Sequence, residues 1–337
     1  MQKLYVVIPN WNGADRLRSC LDSLRTQSLQ HQIIVVDNGS VDESVEIIEK
    51  EYPEIILIRH KRNKGFAGGV NAGIKYAIQH SAKYVALLNN DAVADKKWLK
   101  NLVGFLDDNP KTGIATSKIC DDKKTHLDST GDLYTIWGLP YPRGRGEPYT
   151  NKYDADTLVF AASGGASLYR IKMLEQIGLF DEDFFAYYED VDISFRAQLA
   201  GWKISYVPEA VVYHEIGATS GLIKGFTTYQ TLKNLPLLLW KNVPWKLMPK
   251  VWPRLVLAYC GIVFSALRRG QFAAVIKALV VGAILWPKKL IERGRIQRNR
   301  QVPTSYVNSI ITHDLPPNAH KLRALRAKWW RLQGKTE

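Results

Sequence analysis

Tyr84-Val85-Ala86-Leu87-Leu88-Asn89-Asn90-Asp91 is an unbroken apolar run that stops at three side chains able to hydrogen-bond or bind a metal. Such a run reads as a strand covered on both faces, the pattern of a parallel sheet. A carboxylate where a parallel strand ends sits at the mouth of the sheet, where open α/β sheets bind their ligands. Asp91 is therefore a candidate ligand for a hard cation, Mg²⁺ or Mn²⁺, which takes oxygen ligands and often bridges to phosphates. Taken alone, Asn-Asn-Asp reads more readily as a turn, since all three residues favour turns.

Upstream, residues 4–8 read as a strand, followed by Pro9-Asn10-Trp11-Asn12-Gly13. A helical pattern comes next, with apolar positions at Leu17, Cys20, Leu21 and Leu24, then a strand at 33–36 that ends in Asp37-Asn38-Gly39-Ser40. After a helix at 44–51 a second unit repeats the order: strand 55–59, loop Asn63-Lys64-Gly65-Phe66-Ala67-Gly68-Gly69, helix 70–79, and the strand that reaches Asp91. Alternating strands and helices imply a mostly parallel sheet with helices on both faces. Asn10, Asp37, the Gly-rich loop and Asp91 then converge on one edge. The loop could cradle phosphate on backbone N–H groups at a helix start. Its spacing matches neither the Walker A nor the dinucleotide-binding pattern, and glycines before a helix also serve as a plain tight turn. Asp37 has a similar second reading as a turn former or helix cap.

Downstream, a helix at 97–106 and a strand at 113–119 precede a polar, Gly/Pro-rich segment, 121–156. Its Tyr141-Pro142-Arg143-Gly144-Arg145-Gly146 reads as a mobile loop over the site, with arginines that could meet an anionic acceptor or simply form a solvated tip. A strand at 158–162 ends in Ser163-Gly164-Gly165-Ala166, where small residues let a substrate approach the backbone. Residues 181–192 interleave acids with Phe184, Phe185, Tyr187 and Tyr188. Aromatic neighbours desolvate nearby carboxylates and raise their pKa, which suits such an acid to general-base work. A last strand at 203–207 leads through Pro208 to Val211-Val212-Tyr213-His214.

These stretches resemble the family 2 inverting glycosyltransferases of the GT-A fold, and within them the bacterial rhamnosyltransferase-like branch. The resemblance rests on Val6-Val7-Ile8-Pro9-Asn10-Trp11-Asn12, Val35-Val36-Asp37-Asn38-Gly39-Ser40, Asn63 to Asn71, Leu87 to Asp91, Gly164-Gly165-Ala166, Tyr188-Glu189-Asp190-Val191-Asp192 and His214, in that order over about residues 1–220. It implies a metal-dependent hexosyltransferase acting on a dTDP- or UDP-linked sugar, with rhamnose favoured. Asp37 would hydrogen-bond the nucleobase. Pro9, Asn10, Asn12, Asn38, Lys64, Gly65, Phe66, Asn71, Asn89 and Asn90 would complete the nucleotide-sugar pocket. Gly164, Gly165 and Ala166 would wall the acceptor side. Asp190 would be the base, supported by Glu189, and Asp91 with His214 would hold Mg²⁺ or Mn²⁺. Asn89 stands where the family's Asp-x-Asp motif has its first carboxylate, so one usual acidic contact is absent.

The net charge of +14 is unevenly placed. Residues 1–216 carry 25 Lys/Arg against 29 Asp/Glu, whereas residues 217–337 carry 21 against 3, together with six of the ten tryptophans. The division suggests a GT-A domain at 1–220 and a basic, Trp-rich helical region at 221–337. Two apolar runs there, 255–267 and 272–286, are each shorter than the 18 or so residues of a membrane span. A helical hairpin lying in the interface fits them, with Trp240, Trp245, Trp252 and Trp286 at headgroup depth, Lys/Arg on anionic lipid, and more charge in the tail at 321–331 beside Trp329-Trp330. A buried helical subdomain is the alternative. A nucleic-acid surface is disfavoured, since no reader motif accompanies the charge.

Cys20, Cys120 and Cys260 show no metal-type spacing, and the chain opens without the features of a signal peptide, so a peripheral or monotopic place on the cytoplasmic membrane face is expected. The expected reaction is sugar transfer to a hydroxyl of a lipid-linked or cell-surface saccharide. The rival classes are a nucleotidyltransferase-like enzyme and a non-catalytic basic membrane- or nucleic-acid-binding protein.

Overall fold

The computed structural model describes residues 3–214, 223–317 and 319. The basic tail at 321–331, with Trp329-Trp330, lies outside the described residues. The chain opens as β1 (Leu4–Asn10), α1 (Ala14–Arg25), β2 (Gln32–Asp37), α2 (Ser44–Glu51), β3 (Ile56–Arg59), α3 (Gly65–Gln79) and β4 (Tyr84–Leu88). These four strands pair in parallel in the order β4-β1-β2-β3, with Asn10 level with Asp37. Alternate residues of β1 go to opposite faces, as period-2 side chains must. Leu4, Val6 and Ile8 join one apolar cluster with Leu17, Ile47 and Leu102, while Tyr5 and Val7 join another with Val70 and Ile74.

Past Asp91 follow β5 (Ala92–Ala94), α4 (Trp98–Asp108), β6 (Thr112–Asp121), β7 (Leu127–Ser129), β8 (Asp132–Tyr134), β9 (Pro140–Pro142), β10 (Thr157–Leu158), β11 (Ala166–Arg170), α5 (Ile171–Ile177), α6 (Glu189–Leu199) and β12 (Lys203–His214). The sheet is mixed rather than mostly parallel, because β11 enters antiparallel between β4 and β6. It starts at the ligand-binding mouth, where Gly165 O accepts from Asn89 N at 2.9 Å, so the chain can only run back.

Three further expectations are corrected. The Gly-rich stretch is not a loop before a helix at 70: α3 begins at Gly65, and the glycines let it lie against the sheet. A Cβ on Gly73 would stand 2.4 Å from a Val7 methyl, and one on Gly69 2.6 Å from Asn38 Nδ2. The strand expected at 158–162 is only the short β10, after which Ala161 bridges to Asp132. The stretch at 141–146 is also pinned rather than free. Arg143 donates twice to Thr130 O and lies over the rings of Tyr153 and Tyr206, and Arg145 pairs with Asp128 at 2.8 Å.

The C-terminal helices are α7 (Phe226–Asn242), α8 (Met248–Arg268), α9 (Phe272–Arg298) and α10 (Thr304–Ile310). One apolar cluster contains Phe184, Val191 and Phe195 together with Leu237, Leu238, Val251 and Val307, so these helices pack onto α6. Beneath that packing lies a buried ionic network. Lys241 bridges Asp181 at 2.6 Å and Asp192 at 2.9 Å, Lys289 reaches Asp183 at 2.7 Å and also pairs with Asp181, and Arg196 binds Asp192 at 2.9 Å.

The apolar run of α8 is longer than expected, because its helix continues through Pro253. The stretch Trp245–Arg268, 24 residues of mean hydropathy 1.3, is long and apolar enough to cross a membrane. Trp240 is the centre of a cluster with Trp245, Trp252 and Trp286, at ring separations of 5.0 to 5.9 Å, rather than one of four separate anchors.

Candidate active site

The ends of β1, β2 and β4 are tied by a chain of side-chain hydrogen bonds. Asp37 Oδ2 accepts from the backbone N–H groups of Gly39 and Ser40, Ser40 Oγ accepts from Asn10 Nδ2 at 3.4 Å, and Asn10 Oδ1 accepts from Asn90 Nδ2 at 2.7 Å. Asn12 adds a second tie, its backbone N–H donating to Ser40 Oγ and its Oδ1 accepting from Val41 N. Asp37 thus does form the turn its sequence context suggested. Only its Oδ2 is well engaged, since Oδ1 has just a 3.4 Å contact, which leaves that oxygen able to accept from a ligand.

Asn38 fixes the neighbouring wall, with Nδ2 donating to Gly65 O at 3.0 Å and Oδ1 paired with the His60 ring at 2.9 Å. Gly65, at φ +72°, has no room for a side chain: a Cβ would lie 2.3 Å from Phe185 O. Phe66 packs beside Gly164. Lys64 is exposed at the helix start. Asn71 stands one layer back, its amide closed in both directions on the Phe180 backbone, at 2.8 and 3.0 Å.

Asp91 and His214 meet although 123 positions separate them: Asp91 Oδ1 lies 3.1 Å from His214 Nε2, and both side chains are largely buried. The other ring nitrogen, Nδ1, lies 3.1 Å from Asp128 Oδ2. Burial works against a charged imidazole, but the two carboxylates outweigh it and raise the His214 pKa to about 9. The two carboxylates thus favour positive charge at this point. Asp91 Oδ1 is buried and receives no well-aligned hydrogen bond from a described residue. A buried carboxylate oxygen whose one near neighbour is an imidazole nitrogen offers a mixed O/N donor set that fits a divalent cation. Asn89 Nδ2 approaches the same imidazole at 3.5 Å.

The acidic run at 181–192 divides in two. Asp181, Asp183 and Asp192 turn to the C-terminal lysines, whereas Glu189 and Asp190 open α6. Asp190 Oδ2 accepts from Gly164 N at 3.0 Å and Oδ1 from Val191 N at 2.8 Å, so the carboxylate is oriented at both oxygens. Burial raises the Asp190 pKa, and those N–H donors partly counter it. Glu189 is more extreme. It is 6% exposed, its Oε2 has no hydrogen-bond partner among the described residues, and burial together with the Asp190 charge pushes its pKa well up. The two adjacent carboxyls thus differ: Glu189 is held neutral by burial and its neighbour's charge, and Asp190 is the easier to ionise.

Two acids that the sequence reading passed over join this site. Asp128 orients His214, and Asp132, beside the Asp190 charge and bonded by Ser129 Oγ at 3.1 Å, has its pKa pushed by burial to about 7. Both lie in the polar, Gly/Pro-rich segment 121–156. Short strands interrupted by glycine and proline left no periodic signal there.

The family model for glycosyl transferase family 2 matches residues 5–178. An N-acetylglucosaminyl-diphospho-decaprenol L-rhamnosyltransferase of Mycobacterium tuberculosis is 27% identical over 211 residues, covering 56% of this chain and 68% of that one. A poly-beta-1,6-N-acetyl-D-glucosamine synthase of Staphylococcus aureus is 25% identical over 272 residues, 74% of this chain and 62% of its own length. Among solved structures, GalNAc-T7 with UDP, GalNAc and Mn²⁺ superposes with a TM-score of 0.57 at 17% identity, over 72% of this chain and 48% of that one. A mannosyltransferase of Pyrobaculum calidifontis in complex with GDP-Man and Mn²⁺ gives 0.52 at 13% identity, over 89% and 86%. These structural likenesses establish the GT-A fold. With its mixed sheet, the matched span of more than half its length, and relatives named as glycosyltransferases, the chain belongs to glycosyl transferase family 2.

Proposed function

We propose that this glycosyltransferase moves a sugar, with inversion, from a nucleoside-diphosphate donor to a hydroxyl of a lipid-linked or cell-surface saccharide, working at the cytoplasmic face of a membrane. The observation that carries the reading is the continuity of the site. One hydrogen-bonded series joins Asp37, Asn10 and Asn90 on the nucleotide side, and Asn89, Gly165 and Gly164 lead from there to Asp190. A dTDP- or UDP-rhamnose-type donor is favoured by the likeness to the rhamnosyltransferase relative.

Asp37 accepts from the nucleobase through its less engaged oxygen. Asp91 and His214 would hold the divalent cation, which neutralises the departing diphosphate when bound. Asp128 keeps the Nδ1 side of His214 occupied, so that Nε2 faces Asp91. An Asp190 carboxylate oxygen accepts the proton of the acceptor hydroxyl as the hydroxyl oxygen bonds to the anomeric carbon from the face opposite the diphosphate. The electron pair of the broken bond leaves with the diphosphate. The Gly164 and Val191 N–H groups hold the Asp190 carboxylate in line, and alignment of this kind makes the displacement effectively unimolecular. Glu189, neutral and buried behind Asp190, lends no competing charge.

The surface of α8 and α9 supports membrane contact. Phe264, Phe272, Ile276 and Ile284 are each about 60 to 70% exposed on a strongly basic region, and an apolar cavity of about 470 Å³ between α7, α8 and α9 is lined by Leu237, Trp240, Trp252, Leu255 and Trp286. A labelled nucleotide-sugar assay with a lipid-diphosphate saccharide acceptor tests the reading. Nucleoside diphosphate and an inverted glycoside are expected. Pyrophosphate release instead would mark a nucleotidyltransferase.

A further inference from the structure

The five residues at 184–188 connect the lysine-bound acids to the helix that carries Asp190, and their backbone is strained. Phe185, Tyr187 and Tyr188 have φ of 65°, 68° and 70°, half of the non-glycine residues in that region among those described. A Cβ disfavours this conformation, and it persists only where the surroundings over-determine it. Tyr188 directly precedes Glu189 and Asp190, so its shape sets where α6 begins.

The surroundings that fix the loop come from α7. Asn234 Nδ2 donates to Phe184 O at 3.0 Å, Ala186 O at 3.0 Å and Tyr187 O at 2.8 Å. Lys233 Nζ donates to Asp183 O at 2.8 Å and Phe184 O at 3.2 Å. Both side chains are buried. Three converging carbonyls accept only from a donor, so the amide orientation of Asn234 is dictated by its site. On its other side the loop touches the nucleotide wall, where Phe185 O accepts from Ala67 N at 3.2 Å in the first turn of α3.

We propose that Asn234, assisted by Lys233, is a positioning residue: it holds the strained 184–188 backbone in the one shape that sets the Asp190 carboxylate against the acceptor hydroxyl. The inference rests on Asp190 as the base. It gives α7, which lies beyond the residues matched by the family model, a part in the chemical step.

Asn234→Asp is the sharpest test, because it keeps the shape and replaces both N–H donors with an acceptor facing three carbonyls. Misplacing a reacting group by 1 Å can cost about 10²-fold. In the full-length protein kcat should accordingly fall about 10- to 100-fold, with the donor Kd and KM within about 3-fold of the parent. Lys233→Met should act in the same direction with a smaller loss. Leu232→Ala controls for lost stability. It removes a buried side chain of the same helix that packs on Ala266, Val275 and Ala278 instead of the loop.

The inference holds if Asn234→Asp loses kcat while Leu232→Ala, at equal or lower Tm, keeps it. It is overturned if Asn234→Asp turns over within about 3-fold of the parent, or loses activity only in step with its unfolded fraction as Leu232→Ala does. Asp190→Asn assayed in parallel separates the two levels of failure. An active Asp190→Asn removes the base assignment, whereas an inactive one beside an active Asn234→Asp removes the positioning role alone.

Discussion

His214 Nδ1 lies 3.1 Å from Asp128 Oδ2, across 86 positions of sequence, while the other ring nitrogen faces Asp91. In the proposed site Nε2 serves the cation and Asp128 fixes the ring through Nδ1, and partners of this sort typically change metal affinity about 10- to 100-fold. Asp128→Ala should weaken Mn²⁺ binding by that factor in calorimetry while the protein stays folded. Unchanged affinity would leave Asp128 with no part in the site.

Asp91→Ala and His214→Ala should each weaken metal-dependent donor binding, and the double variant should be little worse than either. Groups that serve one ion act as a unit, so their effects do not add. Strictly additive losses would place the two residues in separate sites.

The buried network below α7 ties stability to pH. Burial alone would raise the Asp181 and Asp192 pKa values, but Lys241 and Lys289 outweigh it for Asp181, and Arg196 and Lys241 for Asp192, so both are depressed. A depressed carboxyl contributes stability that is fully present above the unfolded value of about 3.9 and is lost as pH falls through the folded value. The urea midpoint should therefore decline as pH falls below about 4 and stay flat with respect to these groups at pH 6 to 8. Lys241→Met leaves Asp181 on Lys289 and Asp192 on Arg196, each with one cation fewer, and should lower stability at pH 7 by less than the about 3 to 5 kcal/mol of breaking an isolated buried pair. A Lys241→Met midpoint equal to the parent's at pH 7 would contradict this account of the network.

Membrane contact should be partly electrostatic. Each Lys or Arg near an anionic surface contributes about 1 kcal/mol, and salt screens that attraction but not apolar burial. Flotation with anionic vesicles should show binding that weakens at high salt without vanishing, and Phe264→Glu with Ile284→Glu should reduce the salt-resistant part. Equal binding to neutral and anionic vesicles at low salt would remove the electrostatic contribution.

Much of this was legible in the sequence, for physical reasons. Strands β1, β2 and β4 are apolar runs ended by Asn10, Asp37 and Asn89-Asn90-Asp91, so period and punctuation placed both the sheet and its mouth. Gly65 to Gly73 misled, because a glycine that lets a helix approach a strand looks the same in sequence as one in a loop. Asp128 and Asp132 were invisible, since their importance comes from what folds against them rather than from any local pattern. The acids at 181–192 read as a single cluster. Only the distant lysines of α7 and α9 show that Asp181, Asp183 and Asp192 are held in ion pairs, which separates them from Glu189 and Asp190.

The central claim is that Asp190 takes the acceptor proton, and single-turnover transfer by Asp190→Asn tests it most directly. With labelled donor pre-bound and acceptor saturating, the transfer rate should fall at least about 10²-fold, the loss typical of removing a general base, while the donor Kd stays close to the parent's. Transfer at more than about a tenth of the parent rate would contradict the assignment.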